Sequence, residues 1–175
     1  MMKATLFGLF VALLMVGCGE SAKPPEGVDM TDPDPKKDSI ETAVDWSKLE
    51  YRNGVAYLPN EETPFTGRTE DFYGNGQKEC EANWEDGKQD GLSTGWYENG
   101  QMEWEINYKD SEWDGLSTHW YENGQKEREG NYKDGKLDGL WTEWYENGQK
   151  RTEKNFKDDK MDGLSTLWYE NGQKK

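Results

Sequence analysis

The chain has 175 residues, enough for one domain with a leader and a linker. Hydrophobic residues make up only 32% and charged residues 33%, which leans toward disorder, yet 9 Trp, 9 Tyr and 20 regularly spaced Gly point to an ordered repeat fold with a shallow core. A formal net charge of -15 argues against nucleic acid or anionic headgroups as partners, because both are bound through clustered Lys and Arg.

Lys3 gives a short positive start, and Leu6 to Val16 is an apolar run of 11 residues. That length suits a signal-peptide core and is too short for a membrane-spanning helix. Met15-Val16-Gly17-Cys18 then puts a small residue before a cysteine. It resembles a lipobox, with Met15 where Leu is commonest, so residues 1–17 are expected to be a lipoprotein signal peptide and Cys18 the lipidation site. Gly19 in place of Asp implies, in a Gram-negative setting, a lipid anchor in the outer membrane of the cell envelope. Residues 18–45 carry Pro24, Pro25, Pro33 and Pro35 among Asp, Glu, Ser and Lys, the composition of a disordered tether. With Cys18 acylated, Cys80 has no partner for an intrachain disulfide, and its alternation with Ala82 and Trp84 reads as a small buried hydrophobe.

Beyond the tether, Tyr51-Arg52-Asn53-Gly54 and Pro64-Phe65-Thr66-Gly67 look like a degenerate opening unit, expected to cap the array over residues 46–66. Residues 67–175 hold five blocks in phase. Their glycines Gly76, Gly100, Gly124, Gly148 and Gly172 recur every 24 residues, in turns of the form Tyr97-Glu98-Asn99-Gly100-Gln101. A second series runs Asp86-Gly87, Asp110-Ser111, Asp134-Gly135 and Asp158-Asp159, of which the Ser111 and Asp159 members are expected to be looser. Asn-Gly and Asp-Gly tolerate positive φ and close hairpins, so two turns per repeat predict an all-β, elongated antiparallel meander of β-hairpin repeats, a curved single sheet.

A three-residue Glu98-Asn99-Gly100 loop with a left-handed glycine sets the predicted register. It places Leu92, Thr94, Trp96, Met102, Trp104, Ile106 and Tyr108 on one inward face. Glu79, Glu81, Glu103, Glu105, Glu127, Glu129 and Glu153 then load the solvent face, together with the tyrosine column.

Asn131-Tyr132-Lys133-Asp134-Gly135-Lys136-Leu137-Asp138-Gly139-Leu140-Trp141-Thr142-Glu143-Trp144-Tyr145 carries the unit most fully. From about Gly67 to Lys175 the chain resembles MORN repeats in their bacterial variant. That resemblance implies a non-catalytic scaffold making protein contacts, and an antitoxin role is often attached to the variant.

His119 is the single histidine, at a position held elsewhere by Gly95, Glu143 and Leu167, and reads as an exposed strand side chain. No nucleophile has a second imidazole to work with, so catalysis is unsupported. Asp90, Asp114, Asp138 and Asp162 stack in phase about 9–10 Å apart, too far to share a cation, and read as turn-forming. No cofactor or metal is expected. The candidate partner-binding residues are the aromatic columns: Trp96, Trp104, Trp120, Trp144 and Trp168, and Tyr97, Tyr121, Tyr145 and Tyr169.

Three functions follow as expectations. The first is an envelope-anchored scaffold for protein–protein interaction, including a homodimer through edge strand 164–169, with the membrane engaged only through Cys18. The second is a glycan- or peptidoglycan-binding surface protein built on the aromatic rows. The third is an antitoxin-like neutralising partner, which export of a lipoprotein would separate from a cytoplasmic toxin.

Overall fold

The structure, a computed structural model, describes residues 43–175. The leader 1–17, Cys18 and the tether as far as residue 42 lie outside the described residues. The strands are β1 (Val44–Asp45), β2 (Glu50–Arg52), β3 (Val55–Tyr57), β4 (Gly67–Phe72), β5 (Lys78–Glu85), β6 (Lys88–Trp96), β7 (Met102–Lys109), β8 (Glu112–Trp120), β9 (Lys126–Lys133), β10 (Lys136–Trp144), β11 (Lys150–Lys157) and β12 (Lys160–Leu167). A 3-10 turn, Trp46–Lys48, follows β1. Ten strands form one sheet in the order β1-β4-β5-β6-β7-β8-β9-β10-β11-β12, and β2 and β3 form a separate hairpin. All neighbours are antiparallel except β1 and β4, so the predicted meander is the observed one. Val44 and Asp45, expected at the end of the tether, are ordered against Thr69 and Glu70.

The turns explain the regularity. At the Asn-Gly corner, Gly100 N–H donates to Tyr97 O at 2.8 Å and Tyr97 N–H to Gln101 O at 2.8 Å, with Gly100 at φ 83. This is the expected type I turn closed by a left-handed glycine. The opposite corners are two-residue loops with both residues left-handed: Asp86 φ 48 with Gly87 φ 76, and Asp110 φ 51 with Ser111 φ 67. Asp158 φ 48 with Asp159 φ 62 repeats the geometry, so the two loops expected to be looser keep the same conformation. A non-glycine in this region costs roughly 1–2 kcal/mol. Ser111 N–H to Gln89 O (2.8 Å) and Asp159 N–H to Leu137 O (3.0 Å) offset it, reproducing the bond that Gly135 makes to Trp113 O at 3.0 Å.

The predicted register is corrected one step inside the Asn-Gly corner. Trp96 pairs with Met102, as the loop dictates, but Gly95 pairs with Trp104, so Glu103 is bulged out. The same extra residue recurs as Glu79, Glu127 and Arg151. A one-residue bulge moves every later side chain of that strand to the other face. Leu92 and Thr94 therefore stand opposite Asn107 and Glu105, while Ser93 and Gly95 stand opposite Ile106 and Trp104. The apolar residues do not gather on one side; they divide between two faces.

One face runs Thr69, Ala82, Ser93, Ile106, Ser117, Gly130, Trp141 across successive strands. Its small members seat indoles: a Cβ on Gly95 would lie 2.3 Å from Trp104 Cε2, and one on Gly130 would lie 2.5 Å from Trp141 Cε3. Gly130 is thus a seat for a ring. The opening segment closes the first end of this face. Leu49, Ala56 and Phe65 cluster with Ala82 and Trp84, and Trp46 meets Trp84 edge-on at 5.3 Å. The other face alternates Thr94, Glu105, Thr118, Glu129, Thr142, Glu153 and Thr166.

Candidate functional site

The candidate residues separate into three sets instead of lining one groove. Trp104 lies on the first face over Gly95, in the row that continues to His119. Trp96, Trp120 and Trp144 belong to the Thr–Glu side at the ends of β6, β8 and β10, and Trp168 follows β12 in the equivalent place. Lysines sit over three of these indoles: Lys78 Nζ is 5.6 Å from Trp96, Lys126 5.7 Å from Trp144 and Lys150 5.8 Å from Trp168. Each is a cation–π pair that occupies ring surface a sugar would need. The same lysines pair with acids, Lys78 with Glu70 and Glu81 at 2.9 and 2.7 Å, Lys126 with Glu129, and Lys150 with Glu153 at 2.5 Å. Met102 breaks the series. Among the described residues, Glu105 has no lysine of this kind and Trp120 has no such cap.

The tyrosines form the third set, and their role is structural. Tyr73 OH donates to Trp96 O at 2.7 Å, Tyr97 to Trp120 O at 2.6 Å, Tyr121 to Trp144 O at 2.9 Å and Tyr145 to Trp168 O at 2.9 Å. Each hydroxyl ties one repeat to a main-chain carbonyl of the next. These four tyrosines are half-buried, which corrects the expectation of an exposed column; only Tyr169 is 53% exposed. Burial first, then the bulged Glu103 and its neighbours Glu127 and Glu122, raise the pKa of Tyr97, so it remains a donor at neutral pH.

The turn asparagines add a second tie. Asn123 Oδ1 accepts from Gln125 N–H and its Nδ2 donates to Glu146 O, both at 2.9 Å. Asn99 and Asn147 do the same toward Glu122 and Glu170. Shallow open clefts follow this corner, one lined by Asn75, Glu98, Asn99 and Glu122 and another by Tyr121, Tyr145, Glu146, Asn147 and Glu170.

His119 is half-buried, not exposed as expected. Burial first, then the Arg128 guanidinium 3.4 Å from its Nδ1, push its pKa down to about 4. Its Nε2 is buried without a partner, so it is a neutral packing residue at physiological pH. Cys80 is partly buried beside Asp71 and Glu79, and burial lifts its thiol to about 11. The Asp90 series is corrected as well. Asp90-Gly91 sits inside β6, where pairing with β5 skips from Ser93 to Gln89, so it marks a strand irregularity and not a hairpin turn. Among the described residues, no group of three or more His, Cys, Asp or Glu is placed to hold a metal ion.

One set escaped the sequence reading. Leu92, Leu116, Leu140 and Leu164 stand on the Thr–Glu face with 39, 40, 44 and 89% of their surfaces exposed. Between them lie Asn107, Asn131 and Asn155, and Asn107 Nδ2 holds Leu116 O at 2.9 Å. The recurring Asp-Gly-Leu triplet was the available signal, hidden by placing Leu92 on the inward face.

No curated protein matches this chain. Residues 89–110, 113–134 and 137–158 each match the family model described as the MORN repeat variant. Each match spans one Asn-Gly hairpin and ends in the following two-residue turn, and β4–β5 repeats the same bonds outside the matched span. Three tandem units of this chain are therefore similar to MORN repeat variants, in the frame set by the hairpins.

Proposed function

We propose that this chain is a lipid-anchored, non-catalytic scaffold that presents a rigid repeat surface to a partner protein at the cell envelope. The observation that carries the reading is the bonding between repeats, in which side chains at one corner and main-chain bonds at the other tie each unit to the next. Such coupling yields an extended surface held in one shape, and MORN-type units elsewhere serve as binding repeats. The clefts along the Asn-Gly corner are open, which suits a macromolecular partner better than a small molecule. The lysine caps on Trp96, Trp144 and Trp168 favour protein over glycan as ligand.

The anchor rests on Leu6 to Val16 and Cys18 in the sequence. The proposed site is the outer membrane, where a cytoplasmic toxin would not be met. Metabolic labelling with a radioactive fatty acid should mark the wild type and not Cys18→Ser, with the protein in the membrane fraction. An unlabelled protein with an intact Met1 to Val16 leader would overturn the anchor and restore an antitoxin-like role. For binding, the immobilised chain should capture a stoichiometric protein from envelope extract, and repeated failure would remove the scaffold. Strand β12 stands last in the sheet order with Leu164 exposed, which suits pairing with a second copy. Sedimentation showing a strict monomer would end that idea.

A further inference from the structure

We propose that the ridge formed by Leu92, Leu116 and Leu140 docks a basic amphipathic helix of a partner protein, laid across the strands. The inference rests on the scaffold reading and names its partner's chemistry. Leu92, Leu116 and Leu140 recur in phase, are 39–44% exposed, and each stands on a strand of the large sheet. Successive leucines are two strands apart, about 9–10 Å. A helix rises about 1.5 Å per residue, so residues seven apart are about 10.5 Å apart along its axis. A heptad-spaced apolar stripe therefore meets one leucine per repeat, whereas an added β-strand, with side chains on one face about 6.6–6.8 Å apart, falls out of step.

Charge selects the sign of the partner. Residues 67–124 hold 14 acidic and 4 basic side chains, a net of -10, while residues 125–175 hold 11 of each and are neutral. Glu81, Glu105 and Glu129 flank the ridge two residues along on the same face, and Met102 leaves Glu105 without the lysine that its equivalents have. The opposite end of the ridge row, Asn131 to Asn155, lies among compensated charges. A helix with lysine or arginine beside its apolar stripe would thus be drawn to the first half of the array and fixed in direction by the gradient. A second copy of this chain, itself strongly acidic, fits less well.

The probe is a labelled 28-residue peptide with leucine on a heptad stripe and lysine on its flanks, titrated into the full chain by fluorescence anisotropy. It should bind at least tenfold tighter than a scrambled peptide of equal composition. The triple variant Leu92→Asn/Leu116→Asn/Leu140→Asn should lose at least tenfold, and Glu105→Gln should weaken binding and flatten its salt dependence. Far-UV circular dichroism checks the fold; if the triple variant unfolds, Leu116→Asn alone should lose threefold or more. Equal binding of matched and scrambled peptides, or unchanged binding by the leucine variants, overturns the helix. So does a wild-type dimer that the leucine variants convert to monomer, since a second copy then covers the ridge. If neither peptide binds while envelope extract still yields a partner, the helix falls and the scaffold stands.

Discussion

Replacing Tyr121 by Phe removes one hydroxyl and leaves the ring in place, which isolates the tie between repeats. The lost bond is 2.9 Å long, part-buried, and made to the Trp144 carbonyl. A neutral bond of this kind contributes about 0.5–1.5 kcal/mol net. Tyr97→Phe/Tyr121→Phe/Tyr145→Phe should therefore cost about 3 kcal/mol, a large share of the roughly 5–15 kcal/mol typical of a folded domain. Because these bonds act between units, their loss should also lower cooperativity, so the urea transition of the purified full chain should broaden as well as move. Tyr169 supplies the control: its hydroxyl has no carbonyl partner among the described residues, and Tyr169→Phe should stay within about 0.5 kcal/mol of wild type. Urea titration followed by far-UV circular dichroism measures all of these. If Tyr169→Phe costs as much as Tyr121→Phe, or the triple variant unfolds with wild-type midpoint and slope, the ladder does not couple the repeats.

The other expectations test separate parts of the fold. His119 has a folded pKa depressed to about 4, so its contribution is present above its unfolded value of about 6.5 and is lost as pH falls through 4. His119→Gln should flatten the difference in melting temperature between pH 7 and pH 4; the effect is on the order of 1 kcal/mol after discounting for its half-exposure, and a parallel pH profile would refute it. Gly95→Ala drives a Cβ into the Trp104 indole and should cost about 1–3 kcal/mol with an altered near-ultraviolet circular dichroism spectrum, whereas an unchanged spectrum would deny the seating. Cys80 should alkylate at pH 8 far more slowly in the folded chain than in urea, read by site-mapped mass spectrometry; equal rates would contradict its raised pKa of about 11. Asn123→Ala removes two bonds at one corner and should cost about 1–2 kcal/mol in urea unfolding, and a neutral result would make the asparagine ladder ornamental.

The sequence shows the period, the turn types and the antiparallel meander because each is local. Asn99-Gly100 and Asp86-Gly87 encode left-handed residues at fixed places, and hairpin closure follows from them. The faces were not legible for one reason. Glu103 is indistinguishable in the sequence from a ladder residue, yet it is bulged, and that single displacement exchanges the surroundings of Trp104 and Glu105. The tyrosine ladder was hidden differently. Its acceptors are main-chain carbonyls 23 residues away, and backbone acceptors leave no mark on side-chain pattern. His119 was misread because the Gly and Leu found at its position signal a crowded site as readily as a tolerant one.

The bulge also bears on where binding belongs. Had Trp96, Trp104 and Ile106 shared one face, the aromatic columns would have formed a continuous groove and its leucines would have been buried. With the faces exchanged, Trp104 is seated on a glycine, Trp96, Trp144 and Trp168 are covered by lysines, and the hydroxyls of Tyr73, Tyr97, Tyr121 and Tyr145 are spent between repeats. The leucine column loses its cover by the same displacement. An aromatic-rich composition here reflects how a single sheet holds its shape, and the exposed row proposed for a partner is aliphatic, with Glu105 beside it lacking the lysine its equivalents have. Substitutions at Trp96, Trp144 or Trp168 should therefore act on stability first, and loss of partner binding without loss of stability should map to Leu92, Leu116, Leu140 and Glu105.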